Sequence, residues 1–191
     1  VSVLGLLFGK FLGFSQDSMR SLGTGLLLHD FGKIEIPLDI LNKPGSLTSD
    51  ELKVVAKHPE AGISLLTKED NILKESLVIV AQHHENYDGT GYPNRIGGNE
   101  IELFARVSRI IDAYDAITTN RCYKNALKPF SALLEMRENM ASCFDTELFK
   151  EFICFLGNAN TLIKTDQPGK YGMQGGDIAS VQNHSCIQPS V

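Results

Sequence analysis

Several histidines and acidic residues of this chain have the types and spacing of a metal site. Four of the five histidines fall in the first half, and a late carboxylate sits inside an apolar run. Imidazole and carboxylate groups are ligands for borderline divalent metals such as iron, manganese and zinc. The candidate ligands are His29, Asp30, His58, His83, His84 and Asp112.

Two of these groups also have simpler interpretations. His29 and Asp30 follow three leucines at the expected buried end of a helix, where Asp30 could cap a helix and His29 could be a core histidine. A buried unpaired carboxylate is costly, however, whereas a metal would hold both groups.

Neighbours on a helix point about 100° apart, so we expect His83 and His84 to diverge around two metals. Asp112, a carboxylate among apolar neighbours on a helix, needs a partner, and a cation in the core would be a good one.

The hydrophobic pattern predicts helices joined by loops, with almost no strand signal. Thr48 and Glu51 form a capping box, Pro59 suits a first helical position, and Asp145 is a candidate cap. The stretch 86–99 is rich in glycine and asparagine and is predicted to be a loop. The expected helices lie at about 2–13, 18–30, 48–57, a short stretch after residue 59, 73–84, 101–119, 129–140 and 146–156.

Length and composition limit the classes of function. The 191 residues suit one domain over 1–164 with an irregular tail over 165–191. A net charge of −5 argues against binding to a nucleic-acid polymer. No segment reads as a membrane span or a leader. Four cysteines without CxxC spacing are interpreted as reduced thiols, and hence a cytoplasmic location.

A longer pattern joins the candidate ligands. His29-Asp30-x-Gly-Lys33 and His58 are followed by His83-His84-Glu-x-x-Asp-Gly-x-Gly-Tyr92-Pro and by Asp112. Over roughly residues 1–157 this arrangement resembles the HD-GYP domain, a branch of the HD metal-dependent phosphohydrolases whose members degrade cyclic di-GMP. The histidine pair with the Gly-Tyr-Pro segment is long and specific, whereas an HD dipeptide alone is a weak signal.

The resemblance implies an all-α, compact multi-helix bundle around a di- or trinuclear centre of iron or manganese. Asp30 would bridge two metals, and the remaining candidate ligands would complete most of the coordination. Arg121 and Lys124 would hold the substrate's phosphates, although the same residues could belong to a solvated loop. Two cations sharing a hydroxide would supply a nucleophile at neutral pH, and Lys33 could reach a phosphate oxygen or orient that hydroxide.

Tyr92 has two interpretations, which are compatible. It could stack on a guanine, or it could belong to a turn in which Gly89 and Gly91 supply positive φ and Pro93 stiffens the exit. In similar proteins the Gly-Tyr-Pro loop also faces diguanylate cyclase domains. Glu85 is expected to orient the histidines and Asp88 to be structural.

The expected activity is hydrolysis of cyclic di-GMP to linear pGpG by a metal-bridging hydroxide, and the sequence leaves open whether a second cleavage gives GMP. The resemblance also implies a further histidine and a glutamate before Val1, so we expect a fragment of a longer protein with an upstream sensor or receiver domain. A catalytically weak dinucleotide sensor or partner-binding module is the alternative. An HD hydrolase acting on another nucleotide is a third.

Overall fold

The computed structural model describes residues 1–69, 71–120 and 126–158, and these form α-helices and short 3-10 turns without a strand. The all-α prediction is therefore confirmed for this part of the chain. The helices are α1 (Ser2–Phe11), α2 (Gln16–Leu28), α3 (Leu38–Leu41), α4 (Ser49–Val55), α5 (His58–Leu66), α6 (Lys74–Gln82), α7 (Leu103–Thr118), α8 (Pro129–Asn139) and α9 (Thr146–Gly157). The 3-10 helices are Phe31–Glu35, Gly98–Glu100 and Ala141–Cys143.

Helix α7 is the centre of the bundle, because α1, α6, α8 and α9 all pack against it. More than half of its residues are buried, as expected for a helix with neighbours on several sides. Aromatic rings fill the space between α1, α7 and α9. The ring centroid of Phe152 lies 5.1 Å from that of Phe8 and 5.3 Å from that of Tyr114, and the rings meet edge to face in both pairs. The rigid α7 thus carries Asp112 into the interior.

The predicted helix starts are confirmed where a side chain caps them. Thr48 and Glu51 form the reciprocal capping box at α4, and the Asp145 carboxylate accepts from the Glu147 and Leu148 amides at the start of α9. The helix ends differ from the prediction. Helix α2 ends at Leu28 and α6 at Gln82, so His29-Asp30 and His83-His84 follow helices and do not lie within them.

Asp145 also ties α9 to α7, because its second oxygen lies 2.8 Å from Nη1 of Arg106, and both side chains are nearly buried. Asp145→Ala would remove a cap and leave a buried guanidinium unpaired, so we expect unfolding to become easier by about 3 kcal/mol. Urea denaturation of the metal-free protein measures this. Asp145→Asn keeps an acceptor for the amides and should lose clearly less stability than Asp145→Ala. Equal losses of stability in the two variants would contradict the role of the cap.

Three further expectations concern termini, thiols and membranes. The tail over 165–191 lies outside the residues that the structure describes. The expectation of reduced thiols is wrong for Cys154, which is disulfide-bonded, whereas Cys143 is a free thiol. Within the described ranges, no helix is both long and apolar enough to cross a membrane.

Candidate metal centre

Four segments of the chain bring the candidate ligands together. His29 and Asp30 lie between α2 and the first 3-10 helix, and His58 is the first residue of α5. His83 and His84 directly follow α6, and Asp112 lies within α7. Because α2 packs on α6, α5 on the 3-10 helix and α6 on α7, the four segments meet at one place.

Backbone carbonyls fix the orientation of three imidazoles. Nδ1 of His29 donates to the Leu26 carbonyl at 2.8 Å, and Nδ1 of His58 donates to the Val55 carbonyl at 2.7 Å. Nδ1 of His83 lies 3.1 Å from the carbonyls of residues 79 and 80. A carbonyl can only accept, so in each neutral ring Nδ1 carries the hydrogen and Nε2 presents a lone pair. Backbone contacts of this kind hold histidines ready for a metal.

These lone pairs point at one another and at Asp30. Nε2 of His58 lies 3.0 Å from Nε2 of His83 and 3.3 Å from Oδ1 of Asp30, and the His83 Nε2 lies 3.7 Å from the same oxygen. With His84, each of these residues offers a ligand atom within 4.8 Å of the others. The separations of 3.0–3.7 Å are those expected for ligand atoms about 2.0–2.2 Å from a shared ion. The group is therefore shaped to hold a cation.

The other oxygen of Asp30 faces a second set of groups. Its Oδ2 lies 3.4 Å from Nε2 of His29, which is 4.0 Å from Oδ1 of Asp112. One carboxylate thus presents one oxygen to His58 and His83 and the other to His29. A single residue could serve two adjacent ions in this arrangement.

The surroundings of the Oδ1 atom of Asp30 indicate whether a metal ion would fit at this place. It is buried and accepts no hydrogen bond within the described part of the chain, although a buried carboxylate oxygen normally has a partner. Burial alone would raise the pKa of Asp30, but contacts with His58, His83 and His29, together with the charge of Lys33, hold that pKa far below its usual value. The carboxylate is therefore ionised, and a divalent cation is the partner that suits it.

The expectation that His83 and His84 diverge is wrong. Their ring centroids are 4.1 Å apart, and both residues belong to the same four-residue group. The physical reason is that α6 ends at Gln82, so the 100° separation of helical neighbours does not apply. Burial lowers the pKa of both rings, and at His84 the charges of His83, His58 and Arg109 lower it further. Both imidazoles are held neutral, the form that binds metal.

Lys33 lies at the edge of this centre, with Nζ 2.6 Å from Oδ2 of Asp30. The two residues are three apart across a 3-10 turn, where such side chains eclipse. The lysine side chain is about one-third exposed. Its ammonium is thus positioned beside the carboxylate while remaining accessible from solvent.

Tyr92 covers His84, because their rings are stacked with centroids 4.6 Å apart. Burial raises the pKa of Tyr92, and the nearby charges of Asp112 and Asp30 add to that effect, so its phenol stays protonated. The ring lies at the centre and one of its faces is already occupied by His84. Any base that stacks on it must therefore use the other face.

The two glycines near Tyr92 act differently from each other. Gly89 has φ +77° as expected, but Gly91 is not in the left-handed region. A side chain at Gly91 would instead collide with the backbone of His84 and Asn86, because the loop folds back onto the segment that carries the histidines.

The acidic residues of the loop fasten it. Oδ1 of Asp88 accepts from the amide and hydroxyl of Thr90, which is a structural role as expected. Glu85 is buried, and its Oε1 accepts from the Asn94 amide at 2.7 Å. No contact with a histidine is found for Glu85 among the described residues, so its expected orienting role stays a prediction.

Arg109 is a residue near the centre that sequence reasoning missed. It lies one turn before Asp112 on α7, a spacing that places both on one face of the helix. That spacing was the available signal. Arg121 and Lys124, the expected phosphate ligands, lie outside the residues that the structure describes.

Comparison with known proteins gives one family and several relatives. The family model "HD domain" matches residues 4–148. The chain is 39% identical over 135 residues to the cyclic di-GMP phosphodiesterase response regulator RpfG of Xanthomonas campestris, covering 70% of this chain and 36% of that protein. It is 41% identical over 114 residues to 3'3'-cGAMP-specific phosphodiesterase 2 of Vibrio cholerae, covering 59% and 22%. The chain thus spans about a third of these relatives' length or less.

A solved structure shows the same fold. The protein Bd1817 of Bdellovibrio bacteriovorus, described as an HDG"Y"P protein, aligns with a TM-score of 0.68 at 22% identity, covering 82% of this chain and 50% of that one. The family match spans the four segments that contain all six candidate ligands. From this match and from the His83–Pro93 signature, the chain belongs to the HD domain family and to its HD-GYP branch.

Proposed function

We propose that this chain is a metal-dependent phosphodiesterase that hydrolyses cyclic di-GMP to pGpG and further to GMP. One observation carries the proposal: the Asp30 carboxylate lies between the imidazoles of His58 and His83 on one side and His29 with Asp112 on the other. Its buried Oδ1 lacks a hydrogen bond among the described residues. Relatives named as cyclic di-GMP phosphodiesterases support the choice of substrate.

The positions of the candidate ligands assign them to two metal ions. His58, His83 and His84 would hold one ion with Asp30, and the ligands of the second ion would be His29, Asp112 and the other oxygen of Asp30. Ions bound there would activate water and neutralise the charge that develops on the phosphodiester.

Substrate contacts would come from cationic and aromatic side chains around the metals. Lys33 already lies against Asp30, so a small rotation of its side chain would direct the ammonium to a phosphate oxygen. Arg121 and Lys124 would hold phosphates, and Tyr92 would contact a base. The Gly-Tyr-Pro loop would also be the surface for diguanylate cyclase domains.

Iron and manganese are the proposed metals. Four imidazoles and two carboxylates form a mixed nitrogen and oxygen set without thiolate, which suits both ions. Such a set also accepts zinc, so the choice follows the resemblance to the HD-GYP branch.

An anaerobic assay tests the proposed function. The protein, stripped of metal and reloaded with iron(II) or manganese(II), is incubated with cyclic di-GMP, and the products are separated by chromatography. We expect pGpG and GMP with either metal and no product after chelation. Metal-loaded protein that binds cyclic di-GMP without cleaving it would contradict the proposal and favour a dinucleotide sensor.

A further inference from the structure

Arg109 is held in place from two sides next to the Gly-Tyr-Pro loop. Its Nε donates to Oδ1 of Asn86 at 2.8 Å, and its guanidinium lies 5.6 Å from the centroid of the Phe144 ring. Phe144 is buried, so the surface beneath the guanidinium is fixed. A cation above an aromatic face and tied through Nε has little freedom to move.

The end of this side chain remains available. Arg109 has five N–H donors, and Nε is the one with a hydrogen-bond partner in residues 1–69, 71–120 and 126–158. The guanidinium therefore presents its two terminal amino groups as a fork. It also makes no ion pair with a carboxylate in those ranges, unlike Arg106, which pairs with Asp145.

The fork lies near the metal centre. Asn86, which accepts the hydrogen bond from Arg109, is two residues after the candidate ligand His84, whose ring stacks on Tyr92. Arg109 also lies three residues before Asp112, on the same face of α7. A planar ring next to a fixed guanidinium fork combines a stacking surface with a pair of donors. Those are the two parts that a site for a purine base needs.

We propose that Arg109 is a specificity-determining residue that donates from its terminal amino groups to O6 and N7 of a guanine in the substrate. This inference rests on the proposed function. Guanine presents two acceptors side by side on that edge, whereas adenine has an amino donor in place of O6. The fork would therefore accept guanine and reject adenine. A phosphate also offers paired acceptors, but in the proposed function the metals at Asp30 and the Lys33 ammonium would bind that group.

The test measures preference for a base separately from turnover of the dinucleotide. With hydrolysis of bis(p-nitrophenyl) phosphate by the manganese-loaded protein as the reporter reaction, inhibition by cyclic di-GMP and by cyclic di-AMP gives two inhibition constants. The variants are Arg109→Gln, which can still donate to Asn86, and Arg109→Lys, which keeps the charge without the fork. Arg137→Gln is the matched control, because Arg137 is an exposed arginine of α8.

We expect the wild type to prefer cyclic di-GMP, and both Arg109 variants to reduce that preference by about tenfold while the Arg137 variant does not. An unchanged preference would overturn the inference. So would equal weakening of both dinucleotides, because that result would mean a phosphate contact or loss of the loop's shape. A second outcome separates the two proposals. Protein that hydrolyses the reporter and binds cyclic di-GMP more tightly than cyclic di-AMP, but does not hydrolyse cyclic di-GMP, would refute the proposed function and still support the role of Arg109. Protein that binds neither dinucleotide would refute both.

Discussion

Asp30→Ala is expected to lose both the metals and the hydrolysis of cyclic di-GMP. Oδ1 of this carboxylate lies 3.3 Å from Nε2 of His58, and Oδ2 lies 3.4 Å from Nε2 of His29. The substitution therefore removes an anionic ligand from both halves of the centre. Losing a residue that only supports a ligand costs 10–100-fold in metal affinity or activity. We therefore expect kcat/KM to fall by roughly 1,000-fold or more, because a ligand shared by two ions is lost.

Metal content and activity are measured on the same preparation. Plasma mass spectrometry after anaerobic gel filtration gives the number of ions per chain, and chromatography gives the rate. Asp39→Ala is the matched control, since Asp39 is an exposed carboxylate at the start of α3. The control should keep the metals and the rate. An Asp30→Ala protein that retains the full number of ions would show that this carboxylate is not a shared ligand.

Local chemistry was enough to predict most of the helices. The capping box at Thr48, the Asp145 cap and the apolar periodicity of α7 are signals that act over a few residues, and each of these elements begins within two residues of its predicted start. The three 3-10 helices and the short helix α3 were not predicted. They depend on tight turns between helices, which leave no periodic pattern in the sequence.

The geometry of the centre was less accessible from the sequence. The candidate ligands could be selected by residue type, but their directions depend on where α2 and α6 stop, which is the least certain part of a sequence-based assignment. Ending α6 at Gln82 brings the rings of His83 and His84 together. Arg109 was missed for a related reason: its contacts with Asn86 and Phe144 join segments far apart in the sequence.

Gly32 shows how the HD segment and α5 are brought into register. A Cβ at this position would collide with the carbonyl oxygen of His58 and with the amide of Gly62. These are backbone atoms of α5, which cannot rotate away as a side chain would. The 3-10 helix after Asp30 and the start of α5 are thus in direct backbone contact, and a glycine lies on each side of it, at Gly32 and Gly62. The 3.3 Å separation of Asp30 and His58 depends on this approach.

Gly32→Ala is accordingly expected to destabilise the protein by about 3 kcal/mol, at the upper end for overpacking because backbone must move. Urea denaturation in the presence of chelator measures this without the contribution of bound metal. Gly157→Ala is the control: no atom of the described residues lies within 4 Å of the added carbon, so its effect should be neutral or slightly stabilising. Equal midpoints for the wild type and Gly32→Ala would disprove the close contact.

The same substitution separates the placement of the ligands from general stability. All six candidate ligands are retained in Gly32→Ala, yet α5 must shift relative to Asp30, so His58 would no longer meet the carboxylate oxygen. We therefore expect metal affinity to fall by at least tenfold at temperatures where circular dichroism shows the variant to be folded. Asp145→Ala, whose defect lies between α7 and α9, should at equal stability keep its metal affinity. If both variants lost affinity in proportion to stability, the approach at Gly32 would matter for folding alone and not for the geometry of the metal centre.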